Sequence, residues 1–149
     1  MCGLMQRRFF LAGAGAALLS PRALAQPGDR DVSFPLKVAI GGELRAQKAE
    51  VYDPAYVKLA YPMGDVADDR GVCTDTVIRA FRHADVDLQV EVHEDMRANF
   101  GAYPKMWGLT KPDRNIDHRR VPNLETFFRR KGGALPLSDD PSNWRPGDL

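Results

Sequence analysis

Cys73 is the residue in this sequence best placed to do covalent chemistry. It stands in Gly71-Val72-Cys73-Thr74-Asp75-Thr76-Val77-Ile78-Arg79-Ala80-Phe81-Arg82. Gly71 supplies the freedom for a tight turn. Val77, Ala80, Phe81 and Ala84 then recur at helical spacing, which predicts an amphipathic helix from Cys73 to about Ala84. A thiol in the first turn of a helix meets unpaired backbone N–H groups and the positive end of the macrodipole, which favour its thiolate form. The competing reading is a small buried hydrophobe at the end of the apolar face. An ionised Asp75 opposes a thiolate, and Arg79, four residues on, can pair with it and blunt that effect.

A thiolate nucleophile also needs a base and a donor for the oxyanion. His83 lies at the far end of the Cys73 helix, roughly 15 Å away at the helical rise, and is excluded as a direct base. His93 lies in an acidic stretch and reads as a surface or capping residue. His118, in Asp117-His118-Arg119-Arg120, either folds back toward Cys73 as a catalytic partner or serves a structural or substrate-binding loop. Arg114, Arg119 and Arg120 either grip a carboxylate or form a solvated cluster paired with Asp113 and Asp117. Cys73, His83, His93 and His118 contain no close ligand pair, so no metal site and no cofactor are expected.

The elements that must position these residues are mainly helical. A helix is predicted from about Leu36 to Ala49, weakened by Gly41-Gly42. Asp53 can cap a short helix beginning at Pro54. The stretch 61–71 reads as a loop, a helix is expected through Glu91 to Phe100, and Met106-Trp107-Gly108-Leu109 is an apolar patch expected to pack on the core. Asn123 is placed as the cap of a helix Leu124–Lys131 that Gly132-Gly133 ends. Ala134-Leu135-Pro136-Leu137 reads as a short strand, and Pro146-Gly147-Asp148-Leu149 as a turn entering another. Several helices with one incipient strand look like an incomplete domain.

The 149 residues hold 21 basic and 20 acidic residues, a net charge of +1. Without residues 1–25, which carry Arg7, Arg8 and Arg22 and no acid, 18 basic face 20 acidic residues, a balance of −2. Such a chain has no electrostatic footprint for nucleic acid. Residues 1–25 read as an export signal. Gln6-Arg7-Arg8-Phe9-Phe10-Leu11 resembles a twin-arginine motif, an apolar run follows, and Ala23-Leu24-Ala25 is a small-x-small cleavage site. The run is short for a membrane span, so no stable insertion is expected after its removal, a retained anchor being the competing reading. Export to a Gram-negative-like periplasm would leave Cys73 as the only cysteine, a liability in an oxidising compartment unless buried or used. Residues 26–44 are assigned to a flexible mature N-terminus.

Tyr52-Asp53-Pro54-Ala55-Tyr56, Gly71-Val72-Cys73-Thr74-Asp75, His93-Glu94-Asp95-Met96, Asn115 to Leu124 and Trp144-Arg145-Pro146-Gly147-Asp148, in this order, resemble domain of unknown function family 1287. The resemblance covers residues 45–149. That family in turn resembles the NlpC-type, papain-like cell-wall cysteine peptidases. The resemblance implies an α+β fold in which a cysteine-bearing helix packs on an antiparallel sheet, here mainly the helical part with the sheet largely missing. It implies Cys73 as the catalytic nucleophile and cell-wall peptides or peptidoglycan as partner. Asp75, His118, Arg119 and Arg120 are taken as candidate substrate-binding groups. The base would be a histidine on a strand following Pro146-Gly147-Asp148, so the chain is read as truncated before that strand. It is then an inactive chain or a fragment of a thiol-dependent amidase or peptidase. The alternative is a non-catalytic periplasmic binding module that uses the arginine-rich loop. A third reading is a fragment that does not fold stably.

Overall fold

Pro35 suits the first turn of a helix, where its missing N–H costs nothing. Helix α1 accordingly starts there and spans Phe34–Ala46. A computed structural model describes residues 32–48 and 50–149. The export-signal reading of residues 1–25 lies outside the described residues. The assignment of 26–44 to a flexible segment is corrected over its second half, because α1 is folded and buries Val38, Gly41 and Arg45. Gly41 does not weaken this helix without return. A Cβ there would lie 2.8 Å from the Ala80 Cα and 2.7 Å from the His83 Cβ. The glycine lets α1 press against a second helix backbone to backbone.

Two short strands follow, β1 (Val51–Tyr52) and β2 (Arg70–Gly71), paired in parallel as a two-stranded sheet. The loop between them is held from below. The buried Arg45 guanidinium donates to the carbonyls of Asp68 and, at 2.7 Å, of Arg70. The short helix expected from Pro54 does not form. The Asp53 carboxylate instead accepts from the Ala55 N–H at 2.9 Å in a local turn.

Helix α2 runs Cys73–His83 and α3 runs Leu88–Asn99. The Asp87 carboxylate caps α3 by accepting from the Gln89 N–H at 3.1 Å. Helix α4 spans Val121–Arg130. Asn123 is therefore inside α4 and does not cap it, and its side-chain amide donates to the Asp117 carbonyl at 3.0 Å. Ile78 of α2, Leu88, Val92 and Met96 of α3, Tyr103, and Leu124 and Phe127 of α4 form the main core. Each such buried side chain contributes on the order of 2 kcal/mol. Phe81 bridges this core to the α1–α2 contact, edge-on to Phe34 at 5.7 Å and 5.5 Å from Phe128.

The polar side of α2 fastens the 61–71 loop. Arg79 donates to the Asp65 carboxylate at 2.6 Å and to the Val66 carbonyl at 2.7 Å. Arg82 reaches Asp65 at 2.9 Å and the Gly64 carbonyl at 2.8 Å. Gln89, fully buried, joins the Gly64 N–H and the Ala60 carbonyl, each at 2.9 Å.

Beyond α4, the strand expected at 134–137 is not formed, and Leu137 is 95% exposed. Pro146-Gly147-Asp148 is a turn, as its sequence predicts. The Arg145 N–H donates to the Asp148 carboxylate at 2.8 Å. Gly147 has φ 99°, and a Cβ there would meet the Pro35 carbonyl oxygen at 2.5 Å, so the turn seats on the start of α1. The described architecture is helical with one small sheet, and no helix among the described residues is long and apolar enough to cross a membrane.

Candidate functional site

Strand β2 ends at Gly71, whose φ is 150°. A Cβ at that position would lie 2.7 Å from a carboxylate oxygen of Asp75, so only glycine lets the chain pass. One residue later the chain enters α2, and Cys73 occupies its first helical position. Cys73 is a free and exposed thiol, which removes the buried-hydrophobe reading. The N-cap residue, Val72, has no side chain that could cap the first-turn amides. The Asp75 carboxylate reaches backward and accepts from the Val72 N–H at 2.7 Å. The first-turn amides of Cys73 and Thr74 thus keep the free N–H character that favours negative charge at a helix start.

The partner of Asp75 is Arg119 and not Arg79. Arg119 Nε donates to one carboxylate oxygen at 2.8 Å and Nη2 to the other at 3.0 Å, with both side chains 3% exposed or less. The same guanidinium reaches the Ala55 carbonyl at 3.0 Å and the Asp53 carbonyl at 3.4 Å. The Thr74 hydroxyl donates to the Arg119 carbonyl at 2.9 Å. One arginine therefore ties the segment after β1, the first turn of α2 and the 3₁₀ turn Asp117–Arg119 together. Asp75 and Arg119, expected as substrate-binding groups, are internal ties whose donors and acceptors are occupied within the fold.

His118 also turns inward. It is 2% exposed, and among the described residues its Nδ1 has no partner. Burial pushes its pKa down to about 4, with Asp75 opposing that and Arg82 and Arg119 adding to it, so the imidazole is neutral. Its neighbour Asp117 is fully buried. One Asp117 oxygen accepts from the Asp113 N–H, and the other lies 3.8 Å from Arg120 Nη1. Burial raises the Asp117 pKa to about 6, against the pull of that hydrogen bond and of Arg120. Arg120 stacks its guanidinium 4.1 Å from the centre of the Trp107 ring. Trp107 is 49% exposed, so the 106–109 patch packs on a cation at the surface and not in the core as expected.

The structure thus brings Cys73, Asp75 and Arg119 together, with His118 beside them in the chain but enclosed. His83 ends α2 and His93 sits on α3, edge-on to Tyr61 at 5.4 Å. Sequence reasoning missed Thr74 and the carbonyls of Asp53 and Ala55. The hydroxyl of Thr74 beside Cys73 was the only local sign of such an anchor, since carbonyls leave no trace in residue type.

A family model described as "Domain of unknown function (DUF1287)" matches residues 40–149. The chain belongs to the DUF1287 family. A protein of Escherichia coli (strain K12) described as "Uncharacterized protein YijF" is 54% identical over 114 residues, which are 76% of this chain and 56% of YijF. The chain thus spans about half the length of the curated relative it matches. No solved structure matches. The DUF1287 match begins inside α1 and takes in Gly71, Cys73, Asp75 and the whole Asp117–Arg119 turn.

Proposed function

We propose that this DUF1287 chain carries the nucleophile of an exported thiol hydrolase of NlpC-type, papain-like descent, acting on amide bonds of cell-wall peptides. One observation carries the reading: an exposed thiol at the first position of α2, where Asp75 takes only the Val72 N–H and leaves the first-turn amides free. In this reaction Cys73 Sγ attacks the amide carbon. The oxygen takes up the electron pair and is met by first-turn N–H groups. The C–N bond then breaks, the amine leaves with a proton, and water releases the acyl group from sulfur. A base must take the thiol proton, and the enclosed His118 is not that base. In this reading the base is a group other than His83, His93 and His118.

The binding-module alternative has less of Arg119 to use, because its donors reach Asp75, Ala55 and Asp53. The test is alkylation by iodoacetamide at about pH 6.5. Cys73 should react about tenfold faster than glutathione, because a thiol at a helix start is activated, and C73S should take up no label. Reaction no faster than glutathione would remove the nucleophile role.

A further inference from the structure

A second feature of the molecule has a charge pattern that the fold itself does not use. Helix α3 and the segment 108–115 enclose an open cleft of about 470 Å³, a volume that suits a small ligand. His93, Thr110, Lys111, Asp113, Arg114 and Asn115 are among its lining residues. Lys111 and Arg114 are both exposed, and among the described residues neither is paired with a carboxylate. Other cations of this chain with a carboxylate in reach take it, Arg79, Arg82, Arg119 and Arg130 among them. Arg114 is held in position by the Tyr61 ring, 5.5 Å from its guanidinium.

Asp113, between Lys111 and Arg114 in the chain, pairs with neither of them. Its carboxylate accepts from the Tyr56 hydroxyl at 3.0 Å, the Asn115 N–H at 2.9 Å and the Asn115 side-chain amide at 2.8 Å. Burial pushes its pKa up, and these hydrogen bonds outweigh that and hold it below the usual carboxylate range. His93 adds no charge, since burial lowers its pKa and keeps the ring neutral near neutral pH. The lining side chains therefore carry Lys111 and Arg114 against Asp113, a balance of one positive charge.

We infer that this cleft binds a ligand ending in a single carboxylate, such as the free C-terminus of a short peptide. The planar guanidinium of Arg114 offers the parallel donors a carboxylate takes, Lys111 adds a point charge, and Thr110 offers a neutral hydrogen bond to the adjoining amide. A doubly charged phosphate matches the balance of charge less well. The site stands whether or not Cys73 is a nucleophile, since none of its residues belongs to the Asp75–Arg119 anchor.

The test uses the full chain and three probes: N-acetyl-alanyl-alanine, its C-terminal amide and inorganic phosphate. Binding is read from the His93 ring signals by NMR. The acid should bind with a dissociation constant of about 1 mM and shift His93, while the amide binds about tenfold or more weaker, the effect of one charge-assisted contact. In K111Q/R114Q the acid should fall to the level of the amide. Equal binding of acid and amide by the native chain overturns the inference, as does phosphate binding tighter than the acid. The acid-against-amide comparison is made on the native protein, so it decides the matter even if the double variant fails to fold.

Discussion

Replacing Arg119 by methionine tests the anchor beneath Cys73. The substitution keeps much of the volume and removes the guanidinium. Asp75 would then be a carboxylate 3% exposed, with the Val72 N–H as its remaining donor. Removing one member of a buried pair costs about 3–5 kcal/mol, because the other charge is left uncompensated. The Ala55 and Asp53 carbonyls lose a donor as well. The loss should be about 4 kcal/mol, a large part of a domain stability of about 5–15 kcal/mol. Urea unfolding followed by circular dichroism measures it. The D75N/R119M double variant should cost about 2 kcal/mol less than the sum of the single variants, because no charge is left alone. The control is Arg97→Met at the exposed Glu94 pair, whose side chains are 61% and 50% exposed, where no measurable change is expected. The reasoning is refuted if R119M unfolds at the same urea concentration as R97M, or if the single-variant losses simply add.

Acid should reveal an opposition inside the Asp117–Arg119 turn. His118 has its pKa lowered from 6.5 to about 4, so its share of stability is present above pH 6.5 and lost as pH falls toward 4. Asp117 has its pKa raised from 3.8 to about 6, so its share is present at low pH and lost as pH rises through 6. The two shifts are each worth about 3 kcal/mol and nearly cancel between pH 6.5 and 4. D117N removes one side. Its stability relative to the native chain should fall by about 3 kcal/mol across that window in urea titrations, and parallel curves would refute the opposition. Gly41→Ala should cost about 1–3 kcal/mol, because its Cβ meets the Ala80 backbone. Gly42→Ala, whose Cβ meets nothing within 4 Å, should gain up to about 1 kcal/mol. Thermal unfolding of the two variants, which differ by one position on α1, distinguishes packing from helix propensity.

Helix α2 was legible because its signal is local. Val77, Ala80 and Phe81 repeat with the helical period, and the observed Cys73–His83 helix starts where that period starts. The anchor was not legible for the opposite reason. Local spacing pointed from Asp75 to Arg79 four residues on, whereas the true partner lies 44 residues away, and Arg79 turns instead to Asp65. Strands β1 and β2 are two residues each, too short for any alternation to show. Asn123 misled through a sound preference. Asparagine favours helix starts, but Pro122 already fits the first turn, which frees Asn123 to bond inward to Asp117. Trp107 was assigned to the core by its apolarity, without regard to what Arg120 offers its face.

The position of Asp75 explains how a carboxylate can sit two residues from Cys73 and still leave the first-turn amides uncapped. A carboxylate at the helix start ordinarily accepts from first-turn amides and satisfies the very groups a reacting anion would need. Asp75 lies in the third position of α2 and accepts from Val72, one residue before the helix. Its charge is matched oxygen by oxygen by Arg119, and its outward side is closed by Gly71, which admits no Cβ. What faces Cys73 is therefore a neutral, fixed pair and a helix end with its own donors still available. The same pair is closed to a ligand, because both side chains are buried and four of the five Arg119 donors are taken inside the fold. Anchor and exposed thiol are thus separate in this fold. Asp75 and Arg119 hold the first turn in place from inside, and Cys73 alone is presented to the outside.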